Sequence, residues 1–390
     1  MVTRVASTVT LLSALTAACG GSSHASANPT APSSGNSSSA VIASFGTIPA
    51  SGSYSLSGDL TGQGPNCVTI SVPNVTLDCA GHHVSIMAVE NASNVTISHC
   101  SIGGTVDAPA PGGRLFTISK ASQVTVRNCE LDAVKVTVSQ HVTFDSDHII
   151  DQDPHSIAAI SVVASSFVTV SNSSIDHFVA YGISLGAGHD NIITNNIIDG
   201  ALPGSTATGD RDDGVSLDGE QNDMIAHNTI MNVPDAGIEG ANAVTDTTIE
   251  GNTMQGIGFA GVGSYYETSW HRNTIRGNQV SGKTLFLEFE NLPTSGNVNT
   301  PLLTDIGFAD NVIENNVSRV TGLSPGTGLN AICAIIHFEP NEDPVLPIVV
   351  GNNVIRGNDF GAETLVVAPA SAFIDGGGNT CGPSTSFVCR

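Results

Sequence analysis

Residues 224–230 read MIAHNTI, residues 248–254 read TIEGNTM and residues 274–280 read TIRGNQV. Each is a short β-prone pair, two turn residues, an Asn, one further residue and an apolar residue. The phrase recurs outward in both directions. Upstream it is IITNNII (192–198), VTVSNSSI (168–175), VTFDSDHI (142–149), VTVRNCEL (124–131) and VTISHCSI (95–102). Downstream it is VIENNVS (312–318) and VIRGNDF (354–360). The residue three after the last apolar strand residue runs Cys100, Cys129, Asp147, Ser173, Asn196, Asn228, Asn252, Asn278, Asn316, Asn358. Most successive spacings fall between 18 and 32 residues; the two largest, 38 and 42, mark insertions.

A period of that size, built from short strands and turns, predicts an all-β solenoid. One coil cannot bury its own apolar side, whereas stacked coils share a continuous core. With rungs about 4.8 Å apart, ten of them make a rod of about 45–50 Å. A repeated inward Asn has a physical purpose. Its amide can satisfy backbone groups of its own coil and bond the Asn of the next. No Leu-x-x-Leu-x-Leu frame exists, which excludes a leucine-rich repeat. The 42 Gly and the many Asn agree with frequent tight turns, because both tolerate left-handed backbone.

These ladders resemble those of the pectate-lyase-like right-handed parallel β-helix superfamily. VTLDCAGHHVSI (75–86) is similar to the opening coil of many bacterial parallel β-helix repeat proteins. The resemblance covers about residues 45–380 and implies one single-stranded right-handed β-helix of ten or more coils. The expected domain is 43–390, preceded by an export signal over 1–19 and a Ser/Gly/Pro tether over 20–42.

The start of the chain carries Arg4 and then a small, apolar run from Val5 to Ala18, too short to span a membrane ordinarily. It ends in LTAACGGSS, which resembles a bacterial lipoprotein signal with Cys19 as the lipidated residue. Thr16 stands three before Cys19, where that pattern usually has Leu. The expected location is the cell envelope, on the outer membrane or cell surface, with secretion as the alternative. Membrane contact is expected through the lipid only, and the chain is expected to be a monomer. Export implies disulfides. Eight Cys less Cys19 leave seven. Cys381 with Cys389 closing a C-terminal loop, and Cys67 with Cys79, are the expected pairs. Cys100 and Cys129 are expected on stacked positions, bonded or simply packed, which leaves Cys333 unpaired.

Thirty-five Asp plus Glu against 12 Lys plus Arg give a formal charge of −23. Nucleic acid is excluded as a partner, since phosphate binding needs clustered cations. Polyanionic sugars are disfavoured unless a divalent cation bridges the like charges.

Between the ladder phrases lies a second strand: GVSLDGE, GIEGANA, GVGSYYE, LFLEFE and AIIHFE. Taking Val215, Ile238, Val262, Leu285 and Ala334 as equivalent inward residues, alternation places three columns outward. The first is Ser216, Glu239, Gly263, Phe286 and Ile335. The second is Asp218, Ala241, Tyr265, Glu288 and His337. The third is Glu220, Ala243, Glu267, Glu290 and Glu339. Stacked carboxylates repel, so such a face needs a proton, a cation or a ligand. Glu239, Glu288, Glu290 and His337 are the candidate acid/base residues. Tyr265, Tyr266, Trp270, His271, Arg272, Asp213, Asp218 and Glu339 are candidate sugar-binding residues, Trp270 being the one Trp of the chain. Metal dependence stays open, with calcium as the cation that oxygen ligands would take.

DRDDG (210–214) resembles the paired Asp of pectin-hydrolysing β-helices, without their downstream His-Gly. DPHS (153–156) resembles the Asp-Pro-His motif of alginate epimerases, with Ser156 where those carry an acid. Three function classes follow. The first is a polysaccharide hydrolase or lyase. The second is a non-catalytic glycan- or metal-binding protein, including one like the copper-site maturation β-helix proteins of the periplasm, whose repeats are similar. The third is an adhesive rod. The competing account of the acidic columns is a solvated surface.

Overall fold

The computed structural model describes residues 39–62, 67–103, 116–151, 158–178, 180–200, 213–266, 268–292, 303–321, 334–339, 346–362 and 365–382. Short strands and turns stack into three parallel sheets, of 14, 16 and 10 strands among the described residues. The chain is a right-handed parallel β-helix, as the repeat predicts. A typical coil gives one strand to each sheet: Tyr181–Gly186, Ile192–Thr194 and Ile197–Asp199. Among the described residues the one helical element is the 3-10 turn Ala370–Ala372.

Alternation puts Val142 and Phe144 inside and leaves Thr143 between them half-exposed. The buried apolar residues form one cluster running from Ile42 to Phe373. At the corner after most strands of the 14-stranded sheet stands a residue with left-handed φ, such as Asn195 (57°), His227 (57°), Gly251 (63°) and Gly277 (62°). This explains the Asn or Gly that precedes so many ladder residues, since those types adopt that conformation most cheaply.

The ladder itself is continuous. Cys129 N donates to Asp147 Oδ1 at 2.8 Å, Asp147 N to Ser173 Oγ at 3.1 Å and Ser173 N to Asn196 Oδ1 at 2.9 Å. The same backbone-to-side-chain bond then links Asn196, Asn228, Asn252, Asn278, Asn316 and Asn358, and ends on Asn379. A second ladder, not foreseen, runs five residues ahead of it through Asn191, Asp223, Thr247, Asn273, Asn311 and Asn353.

The cysteine pairing differs from expectation. Cys79 is bonded to Cys100, with Cα atoms 4.8 Å apart. Cys79 follows Val75–Asp78 and Cys100 follows Ser93–Ser98, strands paired in register, so the two Cys occupy one column at the rung spacing. Cys67 leads into Val68–Ile70 in the other large sheet and is disulfide-bonded, but not to Cys79, whose partner is Cys100. Cys100 and Cys129 do stack, with Cys100 N donating to Cys129 Sγ at 3.4 Å, but Cys129 is a free, buried thiol. Burial pushes its pKa up to about 12, so it stays neutral and serves as ladder and core. Cys381 is disulfide-bonded. Its expected partner Cys389, together with Cys19, Cys333, the signal and most of the tether, lies outside the described residues.

Candidate functional site

The 16-stranded sheet carries the acidic strands, and its register sets which residues meet. Val215 pairs with Ile238 and Ile238 with Val262, as expected. Val262 then pairs with Leu287, not Leu285, a slip of two residues. The slip moves Glu288 into the column of Glu239. The outward column is therefore Ser184, Ser216, Glu239, Gly263, Glu288 and His337. Glu288 stands beside His337 and Glu290 beside Glu339, as the sequence suggested. Tyr265, Tyr266, Glu290, His337 and Glu339 are placed by backbone register alone.

Glu288 lies between the core residues Leu287 and Phe289, hence on the opposite face of its strand, yet it is fully buried. The competing account, a solvated surface, does not describe this position. Glu239 is partly exposed. Beside it stands Asp213, the last Asp of DRDDG, with 0% exposure. Ala236 N donates to Asp213 Oδ1 at 3.1 Å, and Asp213 Oδ2 has no donor. Burial first, then the charge and the hydrogen-bonding carboxyl of Glu239, then the charge of Asp235, push Asp213 well above the usual carboxylate range. Two carboxyls in hydrogen-bond contact, one of them fully buried, favour sharing a proton or a cation. This contact was invisible in the sequence, because Asp213 sits at a corner outside the aligned columns.

Asp218 accepts a hydrogen bond from Asn242 Nδ2; burial raises its pKa, and the amide partly offsets this. Glu220 does not continue the outward face. A bulge between Asp218 and Glu220 sets Glu220 against Val244, in the inward column of Val244, Trp270 and Phe308. Trp270 is accordingly a core residue with 0% exposure, its ring 4.9 Å from that of Phe289. It presents no surface for a sugar.

The cause is a fork in the sheet. The first half of Ile238–Thr245 pairs with Ala260–Tyr266, and its second half with Thr268–His271. On the second branch His271 Nε2 and Ser269 Oγ both bond Asp305 Oδ1, each at 2.7 Å. Burial opposes ionisation of Asp305, but these bonds outweigh it and hold the carboxyl below its usual range. Ser269 and Asp305 were not foreseen. Arg272 sits at the following turn, spent on Asp246 through two bonds of 2.7 Å. Asp210, Arg211, Asp212, Glu267 and DPHS lie outside the described residues.

A second proton-sharing pair closes the inward corner. Glu220 Oε1 accepts from Gly188 N at 2.7 Å and Oε2 from Asn191 Nδ2 at 2.9 Å, beside Asp223 of the unforeseen ladder. Burial, then their mutual contact, raises Glu220 to about 9; burial raises Asp223 to about 6 and Asp147 to about 7. A carboxyl with a raised native pKa favours folding fully only below its unfolded pKa. That contribution fades as pH rises through the native pKa, by up to about 1.4 kcal/mol per pH unit for each group. We expect the thermal midpoint to fall steadily from pH 5 to pH 9. Glu220→Gln should flatten the fall between pH 7 and 9; an unchanged slope would show that Glu220 is not protonated in the native state.

Among the described residues no group of three His, Cys, Asp or Glu is set to hold a metal ion. Of the soft donors, Cys79 and Cys100 are bonded and Cys129, Met87 and Met254 lie in the core, while Met224 and Met231 reach the surface. His82, His99, His148, His177, His189 and His271 each bond an Asp. Copper favours imidazole, thiolate or thioether donors, and no group of three His or Cys stands together among the described residues.

Several solved structures are similar to this chain. A DFA-IIIase mutant from Arthrobacter chlorophenolicus aligns with 87% of this chain and 90% of its own, at TM-score 0.52 and 10% identity. The periplasmic alginate epimerase AlgG aligns with 86% of this chain and 77% of its own, at 0.48 and 10%. An alginate lyase from Paenibacillus sp. str. FPU-7 aligns with 70% of this chain and 91% of its own, at 0.41 and 16%. Identities this low speak to fold alone. No curated protein matches by sequence. Residues 93–291, just over half of the chain, match one family, so the chain belongs to the family described as "Periplasmic copper-binding protein (NosD)".

Proposed function

We propose that this is an exported protein that holds polysaccharide on the outward strip of its 16-stranded sheet, with Glu239 delivering a proton to a glycosidic oxygen. The observation that carries the reading is the fully buried Asp213 carboxyl against the partly exposed Glu239, a contact that raises the pKa of Asp213. General-acid cleavage of a glycoside needs a carboxyl kept protonated near neutral pH. Asp213 is the positioning partner and Glu239 the group that meets substrate. Gly263 follows Glu239 in the column and is itself buried, a Cβ there meeting Glu288 O at 2.7 Å. Glu288, two rungs on and fully buried, is not assigned the role of base.

Export rests on the signal-like start and on the periplasmic description of the family. Cys19 is the proposed lipid attachment point, tested by incorporation of labelled palmitate into the wild type and not into Cys19→Ala. The copper in the family's description finds no ligand set among the described residues, so the glycan reading is preferred.

The test is reducing-sugar release from a glycan panel, with and without chelator. Glu239→Gln should lose activity by about a hundredfold or more and keep its folded signal. Asp213→Asn should retain a share of the rate with a displaced pH profile. Full activity in Glu239→Gln would refute the assignment, and loss of all activity on chelation would replace the proton with a cation.

A further inference from the structure

Three cysteines stand on three consecutive rungs near the start of the rod. Cys79 follows Val75–Asp78, Cys100 follows Ser93–Ser98 and Cys129 follows Ser122–Arg127. Ser98 pairs with Asp78 on one side and with Arg127 on the other. Past the corner Ser101 pairs with Glu130, so Cys100 and Cys129 are bracketed by paired residues and lie in register. The Cys79–Cys100 bond spans a Cα separation of 4.8 Å, which is the rung spacing itself. In-register parallel strands offer the same spacing between Cys100 and Cys129, inside the range that a disulfide needs.

The sulfurs of Cys100 and Cys129 are set alike. Cys100 Sγ lies 3.3 Å from Ser98 O, and Cys129 Sγ lies 3.3 Å from Arg127 O. Cys100 N donates to Cys129 Sγ at 3.4 Å, which holds that sulfur against the Cys100 backbone. Cys100 is the middle member of the three. A sulfur arriving from Cys129 therefore comes from the rung opposite Cys79, so attacking and leaving sulfurs stand on different sides of the sulfur between them, as exchange through one transient three-sulfur contact requires.

We propose that Cys129 is a resolving thiol and that the disulfide moves one rung along the rod, from Cys79–Cys100 to Cys100–Cys129. The Cys129 thiol gives up its proton and its sulfur bonds Cys100 Sγ. The bond to Cys79 breaks, and Cys79 leaves as a thiolate that takes up a proton. One S–S bond is lost and one is formed, so neither oxidant nor reductant is consumed. Before the move the bond ties the coil of Cys79 to the next. After it, that coil is held by hydrogen bonds and packing alone, and the tie lies one coil further in.

Burial sets the pace, because the thiolate is the attacking form. Burial keeps Cys129 protonated; the Cys100 N–H opposes this, and the charges of Asp147 and Asp78 on the neighbouring rungs add to it. The other titratable side chains of the corner, His82, His83, His99, Arg127, Glu130, Asp145 and His148, are half-exposed or exposed. Exchange is accordingly slow at neutral pH and quickens with each pH unit.

The test follows the free thiol in the full chain, purified without reductant and incubated without oxidant at pH 7, 8 and 9. Samples are quenched in acid, unfolded, alkylated and mapped by mass spectrometry. Label should start on Cys129 and pass over hours to Cys79 in a comparable share, with the sum of the two constant and none on Cys100. The rate should rise by about tenfold per pH unit, with the thiolate fraction. Label confined to Cys129 at all three pH values after about a day overturns the proposal. Label spreading to Cys67 and Cys381 at the same rate also overturns it, as scrambling through the unfolded chain. Cys79→Ser, treated with oxidised glutathione, should form the Cys100–Cys129 bond; a folded variant that keeps both thiols open to alkylation after unfolding overturns the second position. The wild-type measurement decides alone where that variant does not fold.

Discussion

Asn252→Leu should lower stability by about 3–4 kcal/mol, seen as an earlier midpoint in urea. Asn252 stands in the middle of the ladder, with 0% exposure. Its Oδ1 accepts from Asn228 N at 2.9 Å and Asn228 Nδ2 at 3.0 Å. Its Nδ2 donates to Ile225 O at 2.8 Å and to Asn278 Oδ1 at 3.0 Å. Leu is close in shape and can offer none of these bonds. Asn278 Oδ1 keeps a partner, because Asn252 N still donates to it at 2.9 Å. Asn228 N–H is left buried without an acceptor, and that orphan sets most of the cost. The neighbouring rungs should loosen with it, since each coil of a solenoid is held by the next. Faster amide exchange at Asn228 and Ile225 than at Val124 and Val126 would localise the damage. Uniform exchange, or a shift below about 1 kcal/mol, would show that the column is held by packing and not by its hydrogen bonds.

Trp270→Ala should cost about 3–5 kcal/mol, as large buried aromatics do. Its partner in this effect is Gly240, where a Cβ would lie 2.2 Å from Trp270 Cζ2. Gly240→Ala alone should therefore cost about 1–3 kcal/mol by overpacking. In the double variant the added methyl enters space the indole has left. The combined loss should fall short of the sum by about 1–2 kcal/mol. Strict additivity would mean that the two sites do not touch. Binding of glycan should survive in Trp270→Phe, because the ring lies in the core; loss of binding without loss of stability would return Trp270 to the surface.

The lower ladder was legible because its position admits few solutions. An inward corner residue that must accept one backbone N–H from the preceding coil is Asn, Asp, Ser or Cys, so the same letters recur at rung after rung. The upper ladder escaped notice because Asp223 and Thr247 interrupt its Asn. The Cys79–Cys100 bond was missed for a related reason: Cys79 was not seen as the rung before Cys100. The acidic column was half legible. Alternation gave the outward side of Glu239 and Glu288, and the pairing of Glu288 with His337 held. Their shared column did not follow, because a two-residue slip between Val262 and Leu287 leaves alternation intact.

By itself the sequence determined the solenoid, its rung period, its inward Asn column and the sheet on which acid accumulates. All of these follow from a local rule repeated many times, in which each residue type is dictated by strand period or corner geometry. The tertiary structure decided the rest. It set the bulge that turns Glu220 inward and the fork that carries Trp270 into the core. It also set the corner where Asp213 meets Glu239. Each depends on how one particular coil lies on its neighbour, and the energy of that contact is carried by pairs of residues 23 to 49 apart, such as Glu220 with Val244 and Glu288 with His337, which no local pattern encodes.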